Sequence, residues 1–290
     1  MNKINKVNLV AEIGCNHRGN FKTALTMIDT LKNFCGVNYV KFQKRDNKLL
    51  LGKDFQNPHP VPENSYGKTY GEHREFLEFD SKQHKKIIAY CKKKNMNYSC
   101  SAWDVNSAKI LIKLNVKNIK IPSACNLDFS LLDWLLKNYK GKLHISLGMT
   151  DKYEEKKIFE RVKKFNKLHN LVFYACTSAY PAPVEEMCLL EVDRLFRKYN
   201  RYGTQVGFSG HYSGISIDNL IILLGATWLE RHFTLDRTWK GTDHAASLEP
   251  DGMRRLQTNL IQSFKALKLK KREILDIEKF QRNKLKIKRL

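Results

Sequence analysis

Between residues 206 and 250 the chain gathers His211, His232, His244, Glu230, Asp243 and Glu249. His211 and His232 each follow a short apolar run that reads as a strand. Imidazoles delivered by the ends of neighbouring strands can converge on one metal ion. With oxygen donors from Glu12, Glu230 and Asp243 they suit Mn²⁺, Zn²⁺, Fe²⁺ or Co²⁺. A single histidine is more often a satisfied core residue; the pair at consecutive strand ends is what points to a metal.

Lys41 and Lys120 carry a second chemistry. They sit in YVKFQ and NIKIPS, flanked by apolar residues. A lysine at a strand end inside a protein is costly unless an anion compensates it. Two of them, with serines nearby, make a pocket for phosphate and carboxylate. The competing readings are outward, solvated lysines and a Schiff-base aldolase using Lys120. The apolar flanks weigh against the first. The second lysine and the histidine pair make an anion-plus-metal site a simpler account than the aldolase.

These side chains need a scaffold that brings many strand ends together. Apolar runs at 7–13, 37–42, 97–100, 118–121, 144–147, 171–175, 205–208 and 227–230 read as strands. Amphipathic segments at 23–34, 106–114, 129–139, 154–168, 184–199, 215–224 and 251–271 read as helices. About eight βα units of roughly 30 residues each predict an α/β fold, a (β/α)₈ TIM barrel, with its active site at the C-terminal strand ends. A doubly wound open sheet is the rival, but AEIGCNHRGN after the first strand is not the GxGxxG phosphate turn. Those ends offer Glu12, Asn16 and His17; Lys41 and Gln43; Ser101 and Asp104; Lys120 and Ser123; Ser146 and Met149; Thr177, Ser178 and Tyr180; Ser209 and His211; Glu230 and His232. Residues 44–80, with Pro58, Pro60 and Pro62, read as one long irregular insertion, a lid or binding loop. One barrel domain is expected over 1–277 and a basic tail over 278–290.

Composition narrows the class. The 290 residues are 42% hydrophobic and 11% aromatic, ordinary for a soluble protein. No apolar run approaches the ~18 residues of a membrane span, and the N-terminus lacks a signal-peptide core, so a cytoplasmic location is expected. Seven cysteines, an odd number with no CxxC spacing, are expected as reduced and mostly buried thiols, Cys176 packing near the site. The net charge of +23 is spread along the chain, densest at 92–94, 268–272 and 284–289. Solvated helix faces explain most of it; a non-catalytic polyanion-binding protein is the reading from another class.

The motifs AEIGCNHRGN, VKFQK, GKTYGEHREFLEF, KIPSA, CTSAYPAP, GFSGHYSG and ERHFTLDRTWKGTDHAASLEP resemble the sialic acid synthase family, in order, from about Leu9 to about Leu256. The resemblance implies a metal-dependent transferase that condenses phosphoenolpyruvate with an N-acetylhexosamine, N-acetylmannosamine or its 6-phosphate. The products are a sialic acid-type nonulosonate and phosphate, by C–O cleavage. A legionaminate- or pseudaminate-type synthase, acting on a di-N-acetylated deoxyhexose, is the alternative. By the same resemblance Lys41, Ser101, Lys120, Ser123, Ser178 and Ser209 hold phosphoenolpyruvate, and His211 and His232 bind Mn²⁺ or Mg²⁺ as Lewis acid. Glu12, Gln43, Tyr180, Glu230 and Asp243 match positions that face the sugar or the metal-bound waters. Physically, Glu12 is the candidate general acid/base, and Lys41 and Lys120 are the candidate catalytic cations for the departing phosphate. Gly210 stands where many relatives have Asp before the first metal histidine, a variant shared by enzymes that use the phosphorylated sugar. Family members commonly form domain-swapped dimers in which a C-terminal antifreeze-like domain places an arginine over the partner's sugar site. That domain is not expected here. The 44–80 insertion with His73 and Arg74, a separately encoded capping domain, or reduced activity or altered specificity are the options in its absence; a homodimer is expected as a partner, and no membrane or nucleic acid partner is expected.

Overall fold

Alternation within short strands decides what faces the barrel axis. In the computed structural model, which describes residues 6–287, eight parallel strands close in sequence order. They are β1 (Asn8–Gly14), β2 (Tyr39–Lys44), β3 (Asn97–Ala102), β4 (Asn118–Ile121), β5 (Lys142–Ser146), β6 (Leu171–Cys176), β7 (Gln205–Gly210) and β8 (Trp228–His232). β8 pairs back onto β1, completing the (β/α)₈ barrel expected from the sequence. Val40, Phe42, Ile119, Phe208 and Leu229 join the core that also buries Met27, Ile87, Leu111, Leu135, Ile158, Val192 and Leu256 of the surrounding helices. The alternate residues Lys41, Gln43, Lys120, Ser209 and Glu230 line the barrel's cavity, the two-residue period that a strand imposes. A plug of Val10, Val172, Tyr174 and Trp228 closes the barrel below them.

The helices are α1 (Phe21–Asp29), α2 (Asn47–Leu51), α3 (Tyr70–Leu77), α4 (Ser81–Lys93), α5 (Val105–Lys113), α6 (Phe129–Asn138), α7 (Lys152–Lys164), α8 (Leu190–Tyr199), α9 (Pro250–Ala266) and α10 (Asp276–Leu285). None is long and apolar enough to cross a membrane. Several differ from the sequence reading. α4 has no counterpart there, because its buried stripe is only His84, Ile87 and Cys91 in a lysine-rich helix. The insertion is not irregular. It contains α2 and α3, and Thr69 and Glu72 form a capping box that starts α3. The helix expected over 184–199 is interrupted at Cys188, which is left-handed with φ 45°. The one expected over 215–224 is reduced to a 3₁₀ turn, Asp218–Ile222. The expected tail boundary at 277/278 falls inside α10, and its last residues, 288–290, lie outside the described residues, as do 1–5 at the start of the expected barrel domain.

Candidate active site

A cavity of about 330 Å³ opens at the C-terminal ends of the strands. Each strand contributes a wall residue: Glu12, Lys41, Ser101, Lys120, Ser146, Cys176, Ser209 and Glu230. Strand register sets these side by side. Glu12 pairs with Lys41 on one side and His232 on the other, Ser101 with Lys120, and Ser209 with both Cys176 and Glu230.

Glu230 gathers the two lysines. Its Oε1 accepts from Lys41 Nζ at 2.9 Å, Lys120 Nζ at 2.7 Å and Ser209 Oγ at 3.3 Å. Burial works against its charge, but Lys120 and then Lys41 hold its carboxyl well below the usual range. Lys120 also lies 4.4 Å above the Tyr174 ring centroid. Burial pulls the Lys120 ammonium's pKa down, whereas Glu12 and Glu230 outweigh burial at Lys41 and push its pKa up. One carboxylate thus clamps two buried cations, leaving positive charge for an anion from outside. Ser123 and Ser146, whose hydroxyls are 2.9 Å apart, stand beside this cluster together with Ser178.

Glu12 is built differently. Its Oε1 accepts from Gln43 Nε2 at 2.6 Å, whereas its buried Oε2 lies 3.1 Å from Lys41 Nζ without a well-aligned hydrogen bond. Burial raises its pKa, Lys41 opposes this, and the neighbouring Glu230 charge raises it further, up to about 7. A carboxyl raised to about 7, with one oxygen held by Gln43 and the other only ion-paired to Lys41, is suited to moving a proton.

The imidazoles of His211 and His232 lie 5.4 Å apart between ring centroids. His211 Nδ1 donates to the Thr177 carbonyl at 2.8 Å, which leaves its Nε2 as the lone-pair nitrogen. His232 Nδ1 is buried without a hydrogen-bond partner, 3.9 Å from Asp243 Oδ2. Burial drops the His232 pKa to about 4, so the ring is neutral at physiological pH. A tautomer fixed by a backbone carbonyl, an orphaned nitrogen and a nearby carboxylate fit a divalent metal. Among the described residues no group of three or more histidine, cysteine or carboxylate side chains is placed to hold a metal ion, so the fit rests on the two imidazoles and the nearby Asp243 carboxylate.

The outer wall is cationic. Arg45 donates to Gln43 Oε1, extending the chain Arg45–Gln43–Glu12, and its guanidinium stacks 4.0 Å from the Trp103 ring centroid. Arg74, carried by α3, donates to Tyr70 Oη from NH2 at 2.6 Å and Nε at 3.1 Å. Among the described residues neither arginine has a carboxylate within ion-pairing distance. Tyr180 lies against His211 with ring centroids 4.3 Å apart and the planes tilted by 46°, and Asp243 and Thr242 close the rim.

Every residue singled out above for catalysis, phosphoenolpyruvate, sugar or metal lines this one cavity. His73 does not. It is buried against His59 and accepts from Tyr66 N at 3.1 Å, so of the insertion's two candidates only Arg74 reaches the site. His244 is likewise outside, sharing a hydrogen bond with Thr234 Oγ1 at 2.7 Å. Asp104 caps α5 and does not face the cavity. The sequence reading gave no site role to Arg45, Trp103 or Ser146. Arg45 continues the inward alternation of Lys41 and Gln43 one residue beyond β2, a signal that was there to use. Cys176, read as a packing residue, lies in the wall with its Sγ 3.6 Å from Ser178 Oγ and 3.9 Å from His211 Nδ1. All seven cysteines are free thiols.

Comparison with known proteins agrees with this geometry. The NeuB family pattern matches residues 27–272. The chain is 36% identical to the N-acetylneuraminate-9-phosphate synthase of Mus musculus, over 93% of this chain and 74% of that protein. It is 33% identical to the N,N'-diacetyllegionaminic acid synthase of Campylobacter jejuni, over 90% of this chain and 78% of that protein. A crystal structure of N-acetylneuraminic acid synthetase from Leptospira borgpetersenii, in complex with citrate, superposes with a TM-score of 0.80 at 27% identity. That match covers 98% of this chain and 94% of the other.

Proposed function

The chain belongs to the NeuB family, and on that premise we propose that it condenses phosphoenolpyruvate with an N-acetylhexosamine, giving a sialic acid-type nonulosonate and phosphate. The observation that carries the reading is Glu230 clamping Lys41 and Lys120 beside the unfinished Glu12 and the His211–His232 pair. Lys41, Lys120 and the hydroxyls of Ser101, Ser123, Ser178 and Ser209, with Ser146 added by the structure, hold the phosphate and carboxylate of phosphoenolpyruvate. Glu230 serves the site by fixing the two ammonium groups. Gln43, Tyr180 and Asp243 face the acceptor.

His211 and His232 are the residues that hold a divalent metal, Mn²⁺ or Mg²⁺. When bound, the metal supplies Lewis-acid polarisation of the acceptor's aldehyde. The enol carbon C3 attacks that aldehyde carbon. The positive charge that develops at C2 lies beside the carboxylate held by the lysines. Water adds at C2, and Glu12 takes its proton and passes it to the former aldehyde oxygen. Collapse of C2 to the ketone breaks the C–O bond, the remaining hydroxyl proton leaving with phosphate, whose growing charge Lys41 and Lys120 stabilise. Arg45 and Arg74, which among the described residues have no carboxylate within ion-pairing distance, support an acceptor that carries a phosphate, and Arg74 covers the acceptor side from within the same chain.

The test is a panel in which purified protein receives phosphoenolpyruvate, Mn²⁺ and, in turn, N-acetylmannosamine, its 6-phosphate and di-N-acetylated deoxyhexoses. The expected result is nonulosonate and phosphate in equal amounts, fastest with the 6-phosphate, and none from His211→Ala or His232→Ala. Phosphate release persisting in both variants overturns the metal assignment. Faster turnover of a di-N-acetylated sugar overturns the acceptor assignment.

A further inference from the structure

We propose that the buried Arg231–Asp218 pair is a positioning device that sets the spacing of the His211 and His232 imidazoles from outside the barrel. Arg231 lies between Glu230 and His232 on β8, and alternation turns its side chain away from the cavity that both neighbours line. Its guanidinium and the Asp218 carboxylate are both fully buried, 0% exposed. NH1 donates to Asp218 Oδ2, and NH2 donates to the carbonyls of Tyr212 at 2.7 Å and Gly214 at 2.9 Å. The guanidinium carbon also lies 4.5 Å from the Tyr212 ring centroid. Tyr212 directly follows His211. One side chain from the strand of His232 therefore gathers the backbone that leaves His211, and the 3₁₀ turn Asp218–Ile222 beyond it. No α-helix stands between β7 and β8 to do this by packing.

The strand register prepares the place for it. Gly210 is the Cα partner of Arg231 across β7 and β8. A Cβ at Gly210 would meet Arg231 Cδ at 3.1 Å and the Phe208 ring at 2.9 Å. The glycine in GFSGHYSG thus leaves room for the arginine in ERHFT. Stability alone gives little reason for the arrangement. A buried ion pair gains little over well-packed apolar residues of the same volume, and here Arg231 Nε and Asp218 Oδ1 are left without partners. A guanidinium reaching three acceptors on the neighbouring loop fixes that loop in both distance and direction.

The inference rests on the metal reading above, and its test separates the two. Mn²⁺ binding is titrated by the electron paramagnetic resonance signal of free Mn²⁺, well below each protein's Tm. The proteins are the parent, Asp218→Asn, Arg231→Lys and Glu155→Gln. Glu155 is a buried carboxylate remote from the cavity, held by Arg194 and Lys198, and its substitution controls for loss of stability without loss of geometry. The expected result is Mn²⁺ binding weakened about 10–100-fold in Arg231→Lys, which loses the guanidinium's reach to the Tyr212 and Gly214 carbonyls, less so in Asp218→Asn, and unchanged in Glu155→Gln. Parent-like affinity in both Asp218→Asn and Arg231→Lys overturns the positioning role and leaves the metal reading standing. A loss in Glu155→Gln as large as theirs also overturns it. A parent protein that binds no Mn²⁺ overturns both. Should Asp218→Asn not fold, Arg231→Lys alone decides.

Discussion

Glu12 and Glu155 are both buried carboxylates beside lysine, and they have been finished to different degrees. Glu155, on α7, accepts on Oε1 from Arg194 at 3.1 Å, Lys198 at 2.9 Å and Tyr199 at 2.5 Å, and on Oε2 from Arg194 at 2.7 Å. Burial alone would raise its pKa, but these donors bring it down to about 2. It is permanently charged and ties α7 to α8. Glu12 has one partnered oxygen and one without a hydrogen bond, and its pKa is up to about 7. A saturated carboxylate can only hold structure. An unsaturated one, here with its second oxygen ion-paired to Lys41 but not hydrogen-bonded, can take up a proton that arrives with substrate, at the cost of an ionised form the fold does not favour.

Glu12→Gln is the sharpest way to break that contrast. Turnover is expected to fall about 10²–10⁴-fold. Because the folded-state pKa of Glu12 is raised, its ionised form weakens the fold above about pH 7. The Tm of Glu12→Gln at pH 8, read by calorimetry, is therefore expected not to fall. For the parent, kcat/KM is expected to decline below about pH 7 as Glu12 takes up its proton; Glu12→Gln flattens this limb and Glu12→Asp retains it. A limb unchanged in Glu12→Gln assigns the titration to another group.

Lys120→Met is expected next in size, raising KM for phosphoenolpyruvate about 10–100-fold by removing a charged hydrogen-bond donor. Arg74→Gln is expected to raise KM for the phosphorylated acceptor about 10-fold while leaving that for phosphoenolpyruvate alone. Steady-state kinetics with each substrate varied in turn checks both. Glu155→Gln is expected to leave kinetics untouched and to cost about 1–3 kcal/mol of stability at pH 7. That difference in Tm is present above the ordinary glutamate value and vanishes as pH falls toward about 2, where Glu155 is protonated in the parent as well.

What could be read in the sequence follows the same division. Residues with costly isolated placements were legible: Lys41 and Lys120 among apolar neighbours, and His211 and His232 at strand ends, announce a site because nothing local pays for them. Gln43 and Tyr180 were legible through the family resemblance. Arg74 was one of two candidates in the insertion, and only α3, started by the Thr69–Glu72 box, shows which one turns inward. The Glu230 clamp was illegible because it joins β8 to β2 and β4, and register fixes it only after the barrel closes. The Arg231 pair was hidden for the same reason. The lysine-rich α4 was missed because its apolar stripe is too narrow to set a period, and the apolar run at 215–224 was read as a helix although only the 3₁₀ turn Asp218–Ile222 forms there.

The central claim is that this cavity joins C3 of phosphoenolpyruvate to the acceptor's aldehyde carbon and breaks the C–O bond at C2. Phosphoenolpyruvate labelled with ¹⁸O at the bridging oxygen, incubated with Mn²⁺ and N-acetylmannosamine 6-phosphate and followed by mass spectrometry, tests it most directly. The account predicts one nonulosonate per phosphate, with the ¹⁸O in the phosphate. Label retained in the organic product, or phosphate released at the same rate without the sugar, would contradict it.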